Sequence, residues 1–414
     1  MARIGVVGAG YVGLTTAACL AHFGHAVVCA DRDAERVAAL RHDEVVLHEP
    51  GLADLVRTGR AEGRLRFTTD NREALAGKDF VFLCLPTPTG VDGAADVRAV
   101  EAVLAEARAV AEPGCVPVVK STVTPGTARR LGGDLVSNPE FLREGHAVED
   151  FLRPQRVVVG AESEQDARRV ARLYAPTGAP VLMTDCTSAE LVKYAGNCFL
   201  ALKLSYVNAL AELAEGVGAD ITAVTEGMAL DERIGGSFLS PGPGWGGSCL
   251  PKDTRALLSA ADAAEVDFPL LRAAIDTNEH QAHRVVAKVR DAVGALAGAR
   301  IGLLGLTFKA GTDDLRDSPA LSVAELLAAE GARLTGYDPC VHHDTGPVRV
   351  VPSAALAARD ARALVVLTEW PEFAELDWPS LEVAERVVVD TRNVLPADKV
   401  REAGFRLVAT GRAG

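Results

Sequence analysis

The chain has no C-x-x-C pair among its eight cysteines. That removes the signature of zinc ribbons and thioredoxin-like dithiols. Most of the eight lie in apolar runs, where a cysteine behaves as a small buried hydrophobe, so a reducing compartment is expected. Nor is there an excess of positive charge. Lys+Arg number 43 against 56 Asp+Glu, a formal net charge of -13. A field of that sign disfavours nucleic acid and anionic membrane surfaces, although a single phosphate needs only a local site. No uncharged apolar run reaches membrane-spanning length. No basic segment with an apolar stretch precedes the first strand, Arg3-Ile4-Gly5-Val6-Val7, as a secretory leader would require. The expectation is a cytoplasmic protein with no membrane or nucleic-acid partner. Short-period repeats and low-complexity segments are missing as well. What is present is an ordinary folded composition, 48% hydrophobic and 24% charged. Its 414 residues exceed one core and suggest about two or three domains.

Short apolar runs alternate with helical patterns in the first part. Ile4 to Val7, Ala26 to Ala30, Phe80 to Leu85, Val116 to Lys120 and Arg156 to Gly160 read as buried strands, and Val97 to Ala111 as a helix. Such alternation implies a parallel sheet with helices on both faces. Near residue 185 the pattern becomes helical. Ser188 to Gly216 has no proline and, as one helix of about 29 residues, would span roughly 43 Å. A helix that long either bridges two lobes or packs on its copy in a second subunit; two helices broken near Ser205 are the alternative. A loop rich in Gly and Pro covers 235–247, and strand–helix alternation resumes from Arg300. The fold class is α/β: two Rossmann-like doubly wound domains, 1–186 and 295–414, joined by a central helical domain, 187–294, with a long connecting helix.

Gly8-Ala9-Gly10-Tyr11-Val12-Gly13 follows the first strand and opens a helix. Gly8 would make the tight turn, Gly10 would let backbone approach a pyrophosphate, and Gly13 would let helix and strand pack closely. Asp31, 18 positions after Gly13, ends the next strand, where a carboxylate accepts ribose hydroxyls and repels a 2′-phosphate, so NAD is favoured over NADP. Thr87 and Thr122 follow later strands of the same sheet, whose carboxyl ends line a ligand crevice.

Cys249 lies after the Gly-rich loop and just before a probable helix start at Pro251, with Lys252 beside it. A thiol so placed has its thiolate favoured and suits a nucleophile, although a lone cysteine is also commonly inert. Asp253, one helical turn on, shares its face. Lys193 and Asn197 are spaced i, i+4 on the long helix; they could stabilise an oxyanion or be a lysine reaching solvent beside a polar neighbour. Glu140 and Glu144, four apart after a strand, could serve as general bases or simply open a solvated loop. Lys309 and Arg316, after the turn Gly302 to Gly305, look like cations of a second phosphate-binding region. His342-His343 has no evident third ligand, and no metal is expected.

The blocks NPEFLREG, ELVKYAGN, GGSCLPKD and FKAGTDDLRDSP, in this order over roughly 3–410, resemble the UDP-glucose/GDP-mannose dehydrogenase family. The resemblance implies a twofold, four-electron, NAD-dependent oxidation of a nucleotide sugar's C6 alcohol to a carboxylate through a thiohemiacetal and a thioester. It implies Cys249 as nucleophile, Lys193 and Asn197 as oxyanion holders, Asp253 in proton transfer and water activation, and Glu140 with Thr122 in thioester hydrolysis. Cofactor positions would be Asp31, Arg36, Thr87, Thr122, Glu144, Lys252 and Arg316, beside the glycine motif. The nucleotide sugar would meet Phe141, Leu142, Arg143, Glu144, Lys193, Asn197, Phe238, Leu239, Ser240, Pro241, Gly242, Gly246, Lys309 and Arg392, and Arg233 would reach it in a partner subunit of a homodimer. Ser248, LTEWPEF and DTRNV resemble the UDP-glucose branch, giving UDP-glucuronate; KAGTDDLR is also seen in the GDP-mannose branch. A 6-phosphogluconate-type hydroxyacid dehydrogenase, which needs no thiol, and a non-catalytic nucleotide-sugar or NAD sensor are the competing readings.

Overall fold

Strand runs of β-branched residues set both sheets of the computed structural model, which describes residues 1–47, 49–90 and 93–412. The first sheet contains β1 (Arg3–Val7), β2 (Ala26–Ala30), β3 (Leu65–Thr68), β4 (Phe80–Leu83), β5 (Val116–Val119), β6 (Val136–Ser137), β7 (Val157–Ala161) and β8 (Val181–Thr184). Their spatial order is β3-β2-β1-β4-β5-β6-β7-β8, parallel except between β6 and β7. The second contains β9 (Arg300–Leu304), β10 (Arg333–Tyr337), β11 (Val348–Val350), β12 (Ala363–Val366), β13 (Val387–Asp390) and β14 (Arg406–Ala409). Its order, β11-β10-β9-β12-β13-β14, repeats the doubly wound order of the first six strands.

Both faces of each sheet are covered, as parallel sheets require. In the first, Ile4, Val6, Phe80 and Phe82 pack into one apolar cluster, and Val7, Val81 and Leu83 into another. In the second, Ile301, Leu303 and Val365 face one cluster, and Leu304, Leu364 and Val366 the other.

Five helices matter for the site: α1 (Tyr11–His22), α2 (Cys186–Val217), α3 (Ile221–Ala229), α4 (Leu250–Ala263) and α5 (Pro269–Val293). Helix α2 runs unbroken for 32 residues, so the two-helix alternative does not hold. It carries no proline, and Ser205, where a break was conceivable, bonds its hydroxyl to the Ala274 carbonyl at 2.6 Å. The chain divides into two compact units, 1–196 with 255–265, and 197–254 with 266–414. No helix among the described residues is long and apolar enough to cross a membrane.

Candidate functional site

In the first unit, the glycine motif sits where β1 turns into α1. Gly8 has φ 101°, and a Cβ there would overlap the Cys84 carbonyl oxygen; one on Gly13 would overlap the Gly8 carbonyl oxygen. Both positions therefore exclude side chains. Among the described residues nothing lies within 4 Å of where a Cβ on Gly10 would stand. Gly10 caps α1 without any side-chain hydrogen bond, and no acidic residue occupies the first turn. The helix thus presents uncapped N–H groups and its partial positive end to an open space, which fits a pyrophosphate. Among the described residues the hydroxyl of Tyr11, the first residue of α1, is buried without a hydrogen-bond partner. Asp31 ends β2 as expected; its carboxylate accepts from Ala9 N–H at 2.6 Å and Asp33 N–H at 2.9 Å, and Arg36 lies 3.3 Å from it. These residues fit NAD.

The second sheet treats the matching acid differently. Asp338, which follows β10, is 1% exposed and accepts from Leu306 N–H, Thr307 N–H, the Trp370 indole and Cys340 N–H. Its carboxylate is thus taken up by groups of its own domain.

Loops at the carboxyl ends of β4 and β5 are tied together. The Thr87 hydroxyl donates to the Thr122 carbonyl at 2.8 Å, and Ser121 bonds the backbone of Leu85. The next loop, Asn138 to Glu144, rests on a buried ammonium. Lys120 donates to the Asn138 side-chain oxygen and the Tyr174 hydroxyl, both at 3.2 Å, and burial lowers its pKa to about 8. Glu140 is 7% exposed. Its carboxylate meets the Lys193 ammonium at 2.9 Å and accepts from Leu142 N–H at 2.6 Å. Burial pushes the Glu140 carboxyl up, but Lys193 and these hydrogen bonds outweigh it and hold the group below its ordinary value. Lys193 also lies 5.5 Å from the Phe141 ring centre. Arg143 is held by Asp150 at 2.7 Å, and Glu144 is half-buried.

One turn before Lys193, Glu190 holds the loop that carries Thr122. Its two carboxylate oxygens accept from Gly126 N–H at 2.6 Å and Ala128 N–H at 2.8 Å. The sequence reading missed it; an acid on an apolar helix was the available signal. Burial raises its pKa to about 7, partly offset by those N–H groups. Because the folded-state value lies above the ordinary 4.5, the native state keeps a proton that the unfolded chain has released. This group's contribution therefore falls as pH rises from about 4.5 to 7 and is level above that. Urea unfolding at pH 5 and 7.5 should show the wild type losing about 2–3 kcal/mol relative to Glu190→Gln over that interval. A constant difference would rule the linkage out.

In the second unit, Cys249 sits immediately before α4 and is exposed, whereas Cys19, Cys29, Cys84, Cys186 and Cys198 are buried and Cys115 and Cys340 half-buried. The Asp253 N–H bonds the Cys249 carbonyl at 2.9 Å, so the two residues are one helical turn apart. Asp253 is 1% exposed; its carboxylate accepts from the Asn197 amide at 2.6 Å and the Lys252 ammonium at 2.5 Å. The approach loop is fixed from several sides. Asn208 accepts from Gly242 N–H at 2.8 Å, and Asn278 bonds both backbone groups of Trp245. A Cβ on Gly242 would stand 2.8 Å from an Arg392 nitrogen, so Arg392 lies flat against the loop, anchored by the Leu367 carbonyl and Glu369. Phe238 is part-exposed at φ 63°, Leu239, Pro241 and Gly246 are buried and Ser240 exposed. Lys309 is half-buried, Arg316 is paired with Asp314, and Arg233 is paired with Asp231 at 89% side-chain exposure.

Three family descriptions match successive parts of the chain. The NAD binding domain of the UDP-glucose/GDP-mannose dehydrogenase family matches residues 2–178, the central domain 187–280 and the UDP binding domain 302–397. The chain belongs to the UDP-glucose/GDP-mannose dehydrogenase family. It is accordingly an NAD-dependent oxidoreductase of the nucleotide-sugar dehydrogenase class. It is 42% identical to the UDP-glucose 6-dehydrogenase of Rhizobium meliloti, with 99% of each chain covered. A UDP-glucose dehydrogenase structure from Pyrobaculum islandicum superposes with a TM-score of 0.91 at 36% identity, covering 100% of this chain and 98% of that one. A UDP-D-ManNAc dehydrogenase structure from Pyrococcus horikoshii gives 0.89 at 28% identity, with 99% of each chain covered.

Proposed function

We propose that this family member oxidises UDP-glucose at C6 to UDP-glucuronate in the cytoplasm. The observation that carries the reading is the exposed Cys249 at the head of α4, one turn before a carboxylate bound by Asn197 and Lys252. A simple hydroxyacid dehydrogenase needs no such thiol. UDP-glucose is favoured by the full-length likeness to UDP-glucose enzymes and by Ser248 before the cysteine.

NAD supplies the hydride acceptor when bound, and four electrons require two equivalents. The primary alcohol gives up a hydride and a proton and becomes the aldehyde. The Cys249 thiolate adds to that carbonyl carbon, forming a thiohemiacetal that keeps the aldehyde from escaping. Loss of a second hydride leaves a thioester, and water adds while the thiolate departs, giving the carboxylate. Lys193 and Asn197 hold the alkoxide and later oxyanions. Asp253 takes protons and orients water; Glu140, with Thr122, assists hydrolysis. The glycine motif, Asp31, Arg36, Thr87, Thr122, Glu144, Lys252 and Arg316 serve the cofactor, and Phe141 to Glu144, Phe238 to Gly242, Gly246, Lys309 and Arg392 the nucleotide sugar. Residues 1–186 take NAD, 187–294 the chemistry and dimerisation, and 295–414 the nucleotide. Nicotinamide absorbance over a panel of UDP-glucose, GDP-mannose and UDP-N-acetylmannosamine tests this. Two NADH per UDP-glucose are expected; one would indicate the simple dehydrogenase, and binding without turnover a sensor.

The same proposal includes a homodimer. Phe199, Tyr206 and Leu213, seven residues apart on α2, are 63%, 58% and 58% exposed, with Ala209 exposed between them. An apolar seam of heptad spacing suits a second copy of the helix, and Arg233 would then serve the partner's nucleotide sugar. Phe199→Asp with Leu213→Asp should sediment as a monomer where the wild type sediments as a dimer. A monomeric wild type at micromolar concentration would remove the seam's role.

A further inference from the structure

Glu190, near the start of α2, spends both oxygens of its carboxylate on one short segment beyond β5. Gly126 N–H donates to one oxygen at 2.6 Å and Ala128 N–H to the other at 2.8 Å. The segment is also tied to itself, because the Thr127 N–H and hydroxyl donate to the Thr124 carbonyl at 3.1 and 2.6 Å. Four positions before Gly126 stands Thr122, whose carbonyl accepts from the Thr87 hydroxyl on its other side. Strand β5 lies beside β4, and β4 beside β1, which carries the glycine motif. In a doubly wound sheet the ligand crevice opens at the carboxyl ends of the strands where their order reverses, here between β1 and β4. All of these residues belong to one compact unit.

We propose that Glu190 is a positioning residue for the cofactor: it holds the Thr122 loop in place for NAD, and holds it best as an anion. The inference rests on the assignment of Thr122 to the cofactor made above. Glu190 acts through two backbone N–H groups of that loop. An ionised carboxylate accepts from both, whereas protonation turns one oxygen into a donor and leaves an N–H facing it. Burial raises the carboxyl's pKa to about 7, so the two forms exchange near neutrality. Asp185 pushes the same way. Lys193 is engaged by Glu140 and Arg130 by Glu101, while Arg129 and Glu162 are exposed. The Cys186 thiol, one turn earlier, is pushed up to about 11 by burial and stays neutral.

The test is the NAD dissociation constant of the wild type and of Glu190→Gln, by calorimetry from about pH 6 to 8.5. The glutamine copies the shape of the protonated acid and does not ionise, and the ratio of the two constants cancels titrations that both proteins share. The Gln variant should bind NAD within about twofold of the wild type near pH 6 and about tenfold more weakly near pH 8.5, the loss of one charge-assisted hydrogen bond. Hydrogen exchange over 122–130, corrected for the intrinsic rate, should show protection gained with pH in the wild type and not in the variant. A ratio that stays constant with pH overturns the proposal, since a plain structural brace would weaken binding equally throughout. So does protection that stays flat in the wild type. Thr122→Val checks the assignment beneath the proposal. Unchanged NAD affinity there would remove that assignment and the inference with it, whereas weakened affinity together with a constant Gln ratio would remove the inference alone.

Discussion

In the Cys249→Ala variant, formation of UDP-glucuronate falls by a factor on the order of 10³ or more, as expected when a covalent nucleophile is removed. The fold should hardly respond, since the side chain is exposed and surface substitutions usually stay within about 0.5 kcal/mol. NAD affinity should stay within a few-fold, because Cys249 is not among the residues assigned to the cofactor. Among the described residues the other seven cysteines are buried or half-buried. Cys198 donates to the Asp253 carbonyl at 3.7 Å, yet it is buried, and burial pushes its pKa up to about 12. Cys84 is held at about 12 by the same cause. Both are thiols at working pH, and the thiolate is the nucleophile. Two measurements check the prediction: chromatographic assay of the acid made by the variant, and mass spectrometry of the wild type under slowed turnover for an acyl group on Cys249. Undiminished acid from the alanine variant would take the sulfur out of the chemistry.

Much of this was legible from residue order because the decisive signals are local. The glycine motif, Asp31 and the βα alternation depend on neighbours within a few positions. The long helix follows from an apolar, proline-free run. What local pattern could not show was pairing across the fold. Lys193 and Glu140 each stood out as candidates, and a buried ammonium called for a partner, but 53 positions separate them. The same holds for Asn197 and Asp253. Strands β3, β6 and β8 escaped notice for physical reasons. Leu65–Thr68 alternates with an exposed arginine, Val136–Ser137 has two residues, and Val181–Thr184 is a solvent-facing edge. Glu190 was hidden by its helix, since its partners are backbone N–H groups of a distant loop.

Replacing Lys193 separates the structural part of its pairing from the catalytic part. Its side chain is 5% exposed and that of Glu140 7%. Lys193→Met therefore strands a buried carboxylate, which typically costs about 3–5 kcal/mol, and activity should drop by about 10² to 10³. The pH dependence should change sign. In the wild type the depressed Glu140 value contributes stability above the unfolded carboxyl pKa, lost as pH falls through the folded value. Without Lys193 burial dominates and raises that pKa, so the variant loses stability as pH climbs from about 4.3. Adding Glu140→Leu removes the stranded charge. The double variant should regain most of the lost stability, since a well-packed apolar pair commonly replaces a buried ion pair at little cost, and its pH slope from this position should vanish. It should not regain activity, because an oxyanion still lacks its cation and hydrolysis its carboxylate. Denaturant titrations at pH 5 and 8 with steady-state rates for the three proteins decide it. Activity returning together with stability would make the pair a structural brace and leave oxyanion stabilisation to other groups.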